Sequence, residues 1–215
     1  MAWPILVGAF QKKDLHVRSI DISNHMMYDR VFCSLNPFIA GGHIDKLVMR
    51  DMRGDPVMVE GLCGSLLLNT NLTQTSLVLD DLAMECRREG RIERAGHFQE
   101  RLISLVAQSN SLQELSVRNC NMNDVCISML CDVLIKFENC KLRRLYIDGN
   151  LSLPEVGKCS QIPKELSHKA SSYLCTLLTE SKTLEVLSMN GCHGLLASKI
   201  AEGLQASRCG CDSKL

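Results

Sequence analysis

Cysteine is the residue type that most invites a chemical interpretation, because the chain holds 12 cysteines among 215 residues. Cys126 and Cys131 lie close together, a Cys-His pair occurs at 192–193, and a Cys-Gly-Cys sequence lies near the C-terminus. A structural zinc site needs four ligands at characteristic spacings, and no second pair completes any of these groups. We therefore predict no metal and no cofactor. Five cysteines fall where a small apolar side chain would pack: Cys63, Cys120, Cys131, Cys175 and Cys192.

The short motifs of common enzyme classes are missing from the sequence. It contains no phosphate-binding G-x-x-x-x-G-K-[ST], no G-x-G-x-x-G, no H-E-x-x-H and no G-x-S-x-G. The Gly41-Gly42 pair precedes a predicted strand rather than a helix, so it cannot hold a phosphate at a helix N-terminus. We predict that the chain is not an enzyme.

The charge balance argues against a nucleic-acid partner. The chain has 24 basic and 24 acidic side chains, whereas a nucleic-acid-binding domain normally has a basic excess or stripe. The densest basic run lies within 85–94, where arginines alternate with glutamates. That alternation is typical of a solvated helix face.

Targeting signals point to the cell interior. Residues 1–10 are apolar but lack the basic start and cleavage site of a secretory signal peptide. No run of about 18 uncharged apolar residues predicts a membrane span. We therefore expect reduced cysteines and a cytoplasmic or nuclear location without a membrane partner. The last three residues, Ser213, Lys214 and Leu215, match the peroxisomal import signal, which leaves a peroxisomal location as the alternative.

A repeated pattern organises most of the chain. The form L-x-x-L-x-L-x-x-N/C-x-L occurs at 112–122, returns at 142–150 and 184–192, and has weaker copies near residues 20, 47 and 77. The second apolar anchors of the six copies are residues 20, 47, 77, 115, 145 and 187, so the gaps are 27, 30, 38, 30 and 42 residues. Each copy predicts a strand that buries alternate side chains. The Asn or Cys after it would satisfy backbone groups of the neighbouring coil.

Apolar residues at helical spacing follow several of these strands. Val125, Met129, Val133 and Phe137 recur every four residues, with Leu130 and Leu134 beside them, which predicts an amphipathic helix with one buried stripe. Similar patterns begin at Phe98, at Tyr173 and at Leu196. We thus predict an α/β fold in which strand–helix repeats of about 28 residues stack into a curved solenoid, with a parallel sheet on the concave side.

The pattern resembles the ribonuclease-inhibitor type of leucine-rich repeat over residues 16–207. Residues 1–15 would then be an N-terminal segment and 208–215 a flexible tail. The two longest gaps predict insertions near 85–96, as a helix extension or loop, and near 153–168, as a protruding loop with three helix breakers. No polar capping repeat follows Leu204, so either the last helix is its own cap or the chain is a shortened form of a longer protein.

The resemblance implies that the concave side of the sheet binds another protein. We single out six residues at strand positions expected to face that side: Arg50, Arg118, Arg144, Tyr146, Asp148 and Ser188. Arginine and tyrosine are over-represented among interface hot spots. The predicted function is a non-catalytic adaptor or substrate-recognition module, for instance in a ubiquitin ligase. A direct inhibitor or activator of a ribonuclease or GTPase is the alternative, and the oligomeric state stays open.

Overall fold

The computed structural model describes most of the chain, in segments separated by short gaps. The described residues are 17–24, 26–27, 33, 35–36, 39–40, 44–51, 53–54, 61, 64–66, 68, 76–82, 85–88, 91–94, 98–120, 122–137, 140–150, 164–192 and 195–211.

A parallel sheet of six strands forms the centre of the fold. Its strands are β1 Val17–Asp21, β3 Ile44–Arg50, β5 Ser76–Asp80, β8 Glu114–Ser116, β9 Arg144–Tyr146 and β10 Val186–Ser188. They follow one another across the sheet in chain order, and every pairing between them is parallel. The prediction of an α/β fold with six parallel strands is confirmed.

The register of the sheet places the six predicted anchors side by side. Ile20 pairs with Leu47, and the row continues through positions 77, 115, 145 and 187. Four residues after each anchor the backbone adopts a positive φ, between 46° and 69°, at Asn24, Asp51, Asp81, Asn119, Gly149 and Gly191. Small polar residues and glycine tolerate this left-handed conformation best. Each of the six strands is therefore followed by a turn with the same left-handed backbone conformation.

Four helices with defined bounds accompany the later strands: α1 Phe98–Gln108, α2 Asp124–Lys136, α3 Lys164–Glu180 and α4 Ala197–Cys211. Each packs on the next along the chain. Helix α2 begins at an Asn123 cap, whose side chain accepts a hydrogen bond from the Cys126 backbone N–H at 2.9 Å. Earlier in the chain, residues 35–36, 39–40 and 64–66 are also helical.

The core lies between the helices and one face of the sheet. Two rows of strand side chains point into it and are almost fully buried in the four middle strands: Leu47, Met49, Leu77, Leu79, Leu115, Val117, Leu145 and Ile147. Leu102, Leu130 and Leu174 of the helices complete this single cluster. The corresponding Leu187 of β10 and Met189, just after it, are only half-buried, because no described strand lies beyond β10.

Helix α2 forms where predicted, and Leu130 and Leu134 are buried, but the rest of the predicted stripe is largely wrong. Val125, Met129 and Phe137 are exposed, with 40%, 44% and 41% of their surface accessible. The buried stripe runs instead through Cys126, Ile127, Leu130, Cys131 and Leu134. Both stripes have helical spacing, and the cysteines lend enough apolar surface to make the second one the core face.

The arginine-rich run also differs from its predicted helix face. Glu85–Arg88 (β6) and Arg91–Arg94 (β7) form an antiparallel pair in which residue 88 lies opposite 91. Only Glu89 and Gly90 separate the two strands, the connection length that favours a β-hairpin over a continuous helix. A second small sheet pairs Met26–Met27 (β2) with Arg53–Gly54 (β4) in parallel.

The second predicted insertion overlaps a helix at its end. Helix α3 begins at Lys164, so residues 164–168, expected in a protruding loop, are helical. Residues 153–163 lie outside the described part of the chain, as do residues 1–15 and 212–215. Within the described part, no helix combines the length and the apolarity needed to cross a membrane.

Candidate protein-binding face

The six predicted site residues all belong to the sheet face opposite the core. Side chains alternate between the two faces of a strand, and the residues between the buried anchors therefore point away from the helices. Three rows run across this face, and the middle one contains Val48, Val78, Ser116, Tyr146 and Ser188. The register and the backbone hydrogen bonds that continue it define a charge row: Arg50, Asp80, Arg118, Asp148 and Asn190. A second row contains Lys46, Ser76, Glu114, Arg144 and Val186.

Arg118 is the centre of the charge row. Its Nε lies 2.7 Å from Oδ2 of Asp148, and its Nη1 lies 3.5 Å from Oδ2 of Asp80. The guanidinium also lies over the ring of Tyr146, 4.4 Å from the centroid, a distance at which a cation and a π face attract. Burial works against the charged form, but the hydrogen bond to Asp148 and the two carboxylate charges outweigh it and raise the pKa of Arg118. Contacts on three sides hold this side chain in place.

Asp80 and Asp148 play the same part in different repeats. Oδ1 of Asp80 accepts hydrogen bonds from Ser116 Oγ at 2.5 Å and from the Arg118 backbone N–H at 3.0 Å. Oδ1 of Asp148 accepts from Ser188 Oγ and from the Asn190 backbone N–H, both at 2.6 Å. Each carboxylate thus fastens its strand to the next strand and leaves Oδ2 for an arginine.

Arg50 joins the same network at its other end. Its Nε lies 3.3 Å from Oδ2 of Asp80, the oxygen that also faces Arg118. The structure thereby brings together five of the six predicted residues, through Asp80: Arg50, Arg118, Tyr146, Asp148 and Ser188.

Arg144 stands apart from this network, in the second row. Its Nη2 lies 3.4 Å from Oε2 of Glu114, which also accepts a hydrogen bond from Ser76 Oγ at 3.0 Å. Only Leu145 separates it along β9 from Tyr146. The second row therefore repeats the arrangement of the charge row, an arginine over a carboxylate that a serine holds.

Sequence reasoning missed the acidic residues on which this face depends. Asp80 and Glu114 orient Arg50, Arg118 and Arg144, yet neither was among the six chosen residues. Asp80 follows its anchor, Leu77, by three residues, as Asp148 follows Leu145. This common spacing could have predicted Asp80 from the sequence. The pairing of Glu114 with Arg144, by contrast, depends on the register of adjacent strands.

Low pH should reduce the stability of the fold by protonating Asp148. Although burial alone would raise it, hydrogen bonds from Ser188, Arg118 and Asn190 leave the pKa of Asp148 below its ordinary value. A carboxyl whose pKa is lower in the folded state stabilises the fold above its unfolded pKa of about 4, and the stabilisation is lost as pH falls through the folded value. Asp148→Asn should therefore be less stable than wild type at neutral pH, with the difference shrinking below pH of about 4. Denaturant titrations across pH measure this, and parallel stability curves would contradict it.

Several described cysteines are free thiols, and the buried ones pack in the core. Seven carry no disulfide: Cys33, Cys120, Cys126, Cys131, Cys140, Cys175 and Cys192. Burial raises the pKa of both Cys120 and Cys131 to about 12, which keeps them protonated and unreactive. Cys120 Sγ donates to the carbonyl of Leu79 at 2.8 Å, and Cys192 Sγ donates to that of Ile147 at 3.1 Å.

Packing is thus confirmed for Cys120 and Cys131, while Cys175 and Cys192 are half-buried. Cys63 lies outside the described residues. Among the residues that the structure does describe, no three His, Cys, Asp or Glu side chains group so as to hold a metal ion. The targeting candidates Ser213, Lys214 and Leu215 also lie outside them.

Comparison with known proteins identifies no family for this chain. No protein-family model matches the chain, and no curated protein matches its sequence significantly.

Proposed function

We propose that the chain is a leucine-rich-repeat solenoid that binds another protein, without catalysis, through the polar face of its six-stranded sheet. The solenoid part of the proposal is supported by strands that follow chain order and by the left-handed turn that ends each of them. It is also supported by Asn150, the residue at the N/C position of the repeat. Its side chain accepts from the backbone N–H groups of Cys120 and Met122 and donates to the carbonyl of Val117, all in the preceding repeat.

The observation that carries the binding function is the ordered charge row. On an ordinary solvent-exposed surface, fixing an arginine in one geometry costs conformational entropy, and the ion pair returns little free energy. Arg118 is nonetheless held by Asp80, Asp148 and Tyr146. A side chain fixed before binding loses less entropy when a partner arrives, so preorganisation of this kind favours affinity.

The non-catalytic part of the proposal is supported by the chemistry of the face. Its three arginines are paired with carboxylates. The pKa values of the half-buried thiols near the sheet, such as Cys192, are raised rather than lowered. A catalytic nucleophile needs the opposite shift. Complementary charges across an interface, by contrast, give specificity and a faster association rate.

The proposal is tested by affinity purification from cells with Arg144→Glu/Tyr146→Ala as the altered bait. The first change places two carboxylates together at Glu114, and the second removes the ring beneath Arg118. We expect at least one protein captured by wild type, identified by mass spectrometry, to be lost from this variant.

The matched control is Lys169→Glu/Phe137→Ala, which also reverses one charge and removes one aromatic ring, but on exposed helix positions away from the sheet face. It should capture the same proteins as wild type. Circular dichroism and thermal melting must show both variants folded. Identical captures by all three baits would refute binding through the sheet face.

A further inference from the structure

The basic and acidic groups of the sheet face differ in how much of each reaches solvent. In the charge row Arg50 is 49% exposed and its partner Asp80 only 4%, whereas Arg118 is 34% exposed and Asp148 17%. In the second row Arg144 is 49% exposed and Glu114 21%. Lys46 on β3 is exposed as well. Asp21 on β1 is an exposed acid near Lys46 and Arg50. The other acids of the face lie beneath its arginines, so most of the groups that a partner would meet first are basic.

Hydrogen-bonding capacity has the same asymmetry. The Asp80 carboxylate accepts from Ser116, from the backbone and from two arginines, and the Asp148 carboxylate is engaged to a similar degree. A guanidinium has five N–H donors. The ion pairs of the face use Nε of Arg50, Nε and Nη1 of Arg118, and Nη2 of Arg144. The face therefore offers donors to a partner far more readily than acceptors.

Acceptors of fixed planar geometry suit these donors best. Carboxylates can take two parallel N–H donors from one guanidinium, which adds specificity to the charge attraction. Arg50 and Arg118 stand two strands apart, about 10 Å at ordinary strand spacing. Side chains of an extended chain that are four residues apart share one face and stand about 13 Å apart, a span that two long arginine side chains can meet.

We propose that the partner segment seated on this face is an acidic, extended stretch of a protein, with its carboxylates on Arg50, Arg118 and Arg144. The inference rests on the proposed function and specifies the chemistry of the same face. Nucleic acid fits less well, because its binding domains normally have a basic excess and this chain has 24 basic and 24 acidic side chains.

The test uses a fluorescent oligoglutamate peptide of about ten residues, long enough to span the row, with an oligolysine peptide and a DNA duplex as comparison probes. Fluorescence anisotropy with the full chain should show binding of oligoglutamate and not of oligolysine. Raising the salt from about 0.05 M to about 0.5 M should weaken the binding severalfold, because exposed charges are screened. The salt titration needs no variant, so it is independent of folding defects.

Arg50→Ala/Arg144→Ala should weaken oligoglutamate binding about tenfold or more, the effect typical of losing interface arginines. Arg118 is kept in this variant because its loss would leave two carboxylates without their partner. The matched control, Lys169→Ala/Lys182→Ala, removes two positive charges from exposed positions outside the three rows and should bind as wild type does.

Absence of oligoglutamate binding, tighter binding of DNA, or equal binding by the two double variants would each overturn the acidic partner. None of those outcomes would refute the proposed function, which the affinity purification tests separately. A partner captured by wild type and lost with Arg144→Glu/Tyr146→Ala would still support the face while the peptide result refuted its chemistry. If neither experiment shows binding, both proposals fail.

Discussion

Asn150→Ala is expected to lower the free energy of unfolding by about 3–5 kcal/mol, one of the largest effects a single substitution here can have. The Asn150 side chain is fully buried. Its Oδ1 accepts from the backbone N–H groups of Cys120 and Met122 at 3.0 and 3.1 Å, and its Nδ2 donates to the carbonyls of Val117 and Ile147 at 2.7 and 2.9 Å. Alanine would leave the backbone N–H groups of Cys120 and Met122 and the carbonyl of Val117 without this partner in a dry interior, whereas the carbonyl of Ile147 would keep the Cys192 thiol. Urea unfolding of both proteins gives the difference directly.

Gln205→Ala is the matched control for that experiment. It also removes a side-chain amide, but from an exposed position on helix α4. Its effect should stay within about 0.5 kcal/mol, as for most surface changes. If Asn150→Ala were as mild as the control, the proposed part of this asparagine in joining neighbouring repeats would be wrong.

Leu145→Ala is expected to lower the free energy of unfolding by about 2–5 kcal/mol. Leu145 has no exposed surface and lies in β9, with β8 on one side and β10 on the other. Truncation removes buried methyl groups and leaves a cavity that flanking strands cannot close without losing their register. Thermal and denaturant unfolding both report the loss.

The same truncation at Leu204 serves as the comparison. Leu204 lies on helix α4 with 49% of its surface exposed, so Leu204→Ala should change the stability by less than about 1 kcal/mol. Equal losses at 145 and 204 would mean that the row of anchors is not the main source of the core energy.

The sequence predicted the sheet well because each strand carries its own signal. The anchors at 20, 47 and 77 belong to weak copies of the pattern, yet they align in register with those at 115, 145 and 187. The alternation of buried and polar residues fixes the phase of a strand locally. The residue pattern is therefore sufficient to place a strand even when the Asn or Cys that should follow it is missing.

Helix faces were harder to predict, for a physical reason. On helix α2 two apolar stripes have the same spacing, and only the packing of the neighbouring helices decides that Leu130 is buried while Met129 is exposed. The prediction of a helix face at 85–94 was wrong for a related reason, because alternating charges suit both a helix face and a two-stranded ribbon.

The polar face of the sheet was predictable in its location, but the ion pairs within it were not. The phase of the strands places Arg118 and Arg144 on one face. Which acid each arginine meets depends on neighbours 30 to 38 residues away in the chain, and no local pattern carries that information.

The simple order of the strands has a consequence for how the protein is made. Every strand of the large sheet pairs only with the strands immediately before and after it in that sheet, so no early strand waits for a late one. A chain emerging from the ribosome can therefore pair β3 with β1 while β5 is still being synthesised. Each newly translated repeat then finds its template already in place, and the growing edge of the sheet stays exposed only until the next repeat arrives.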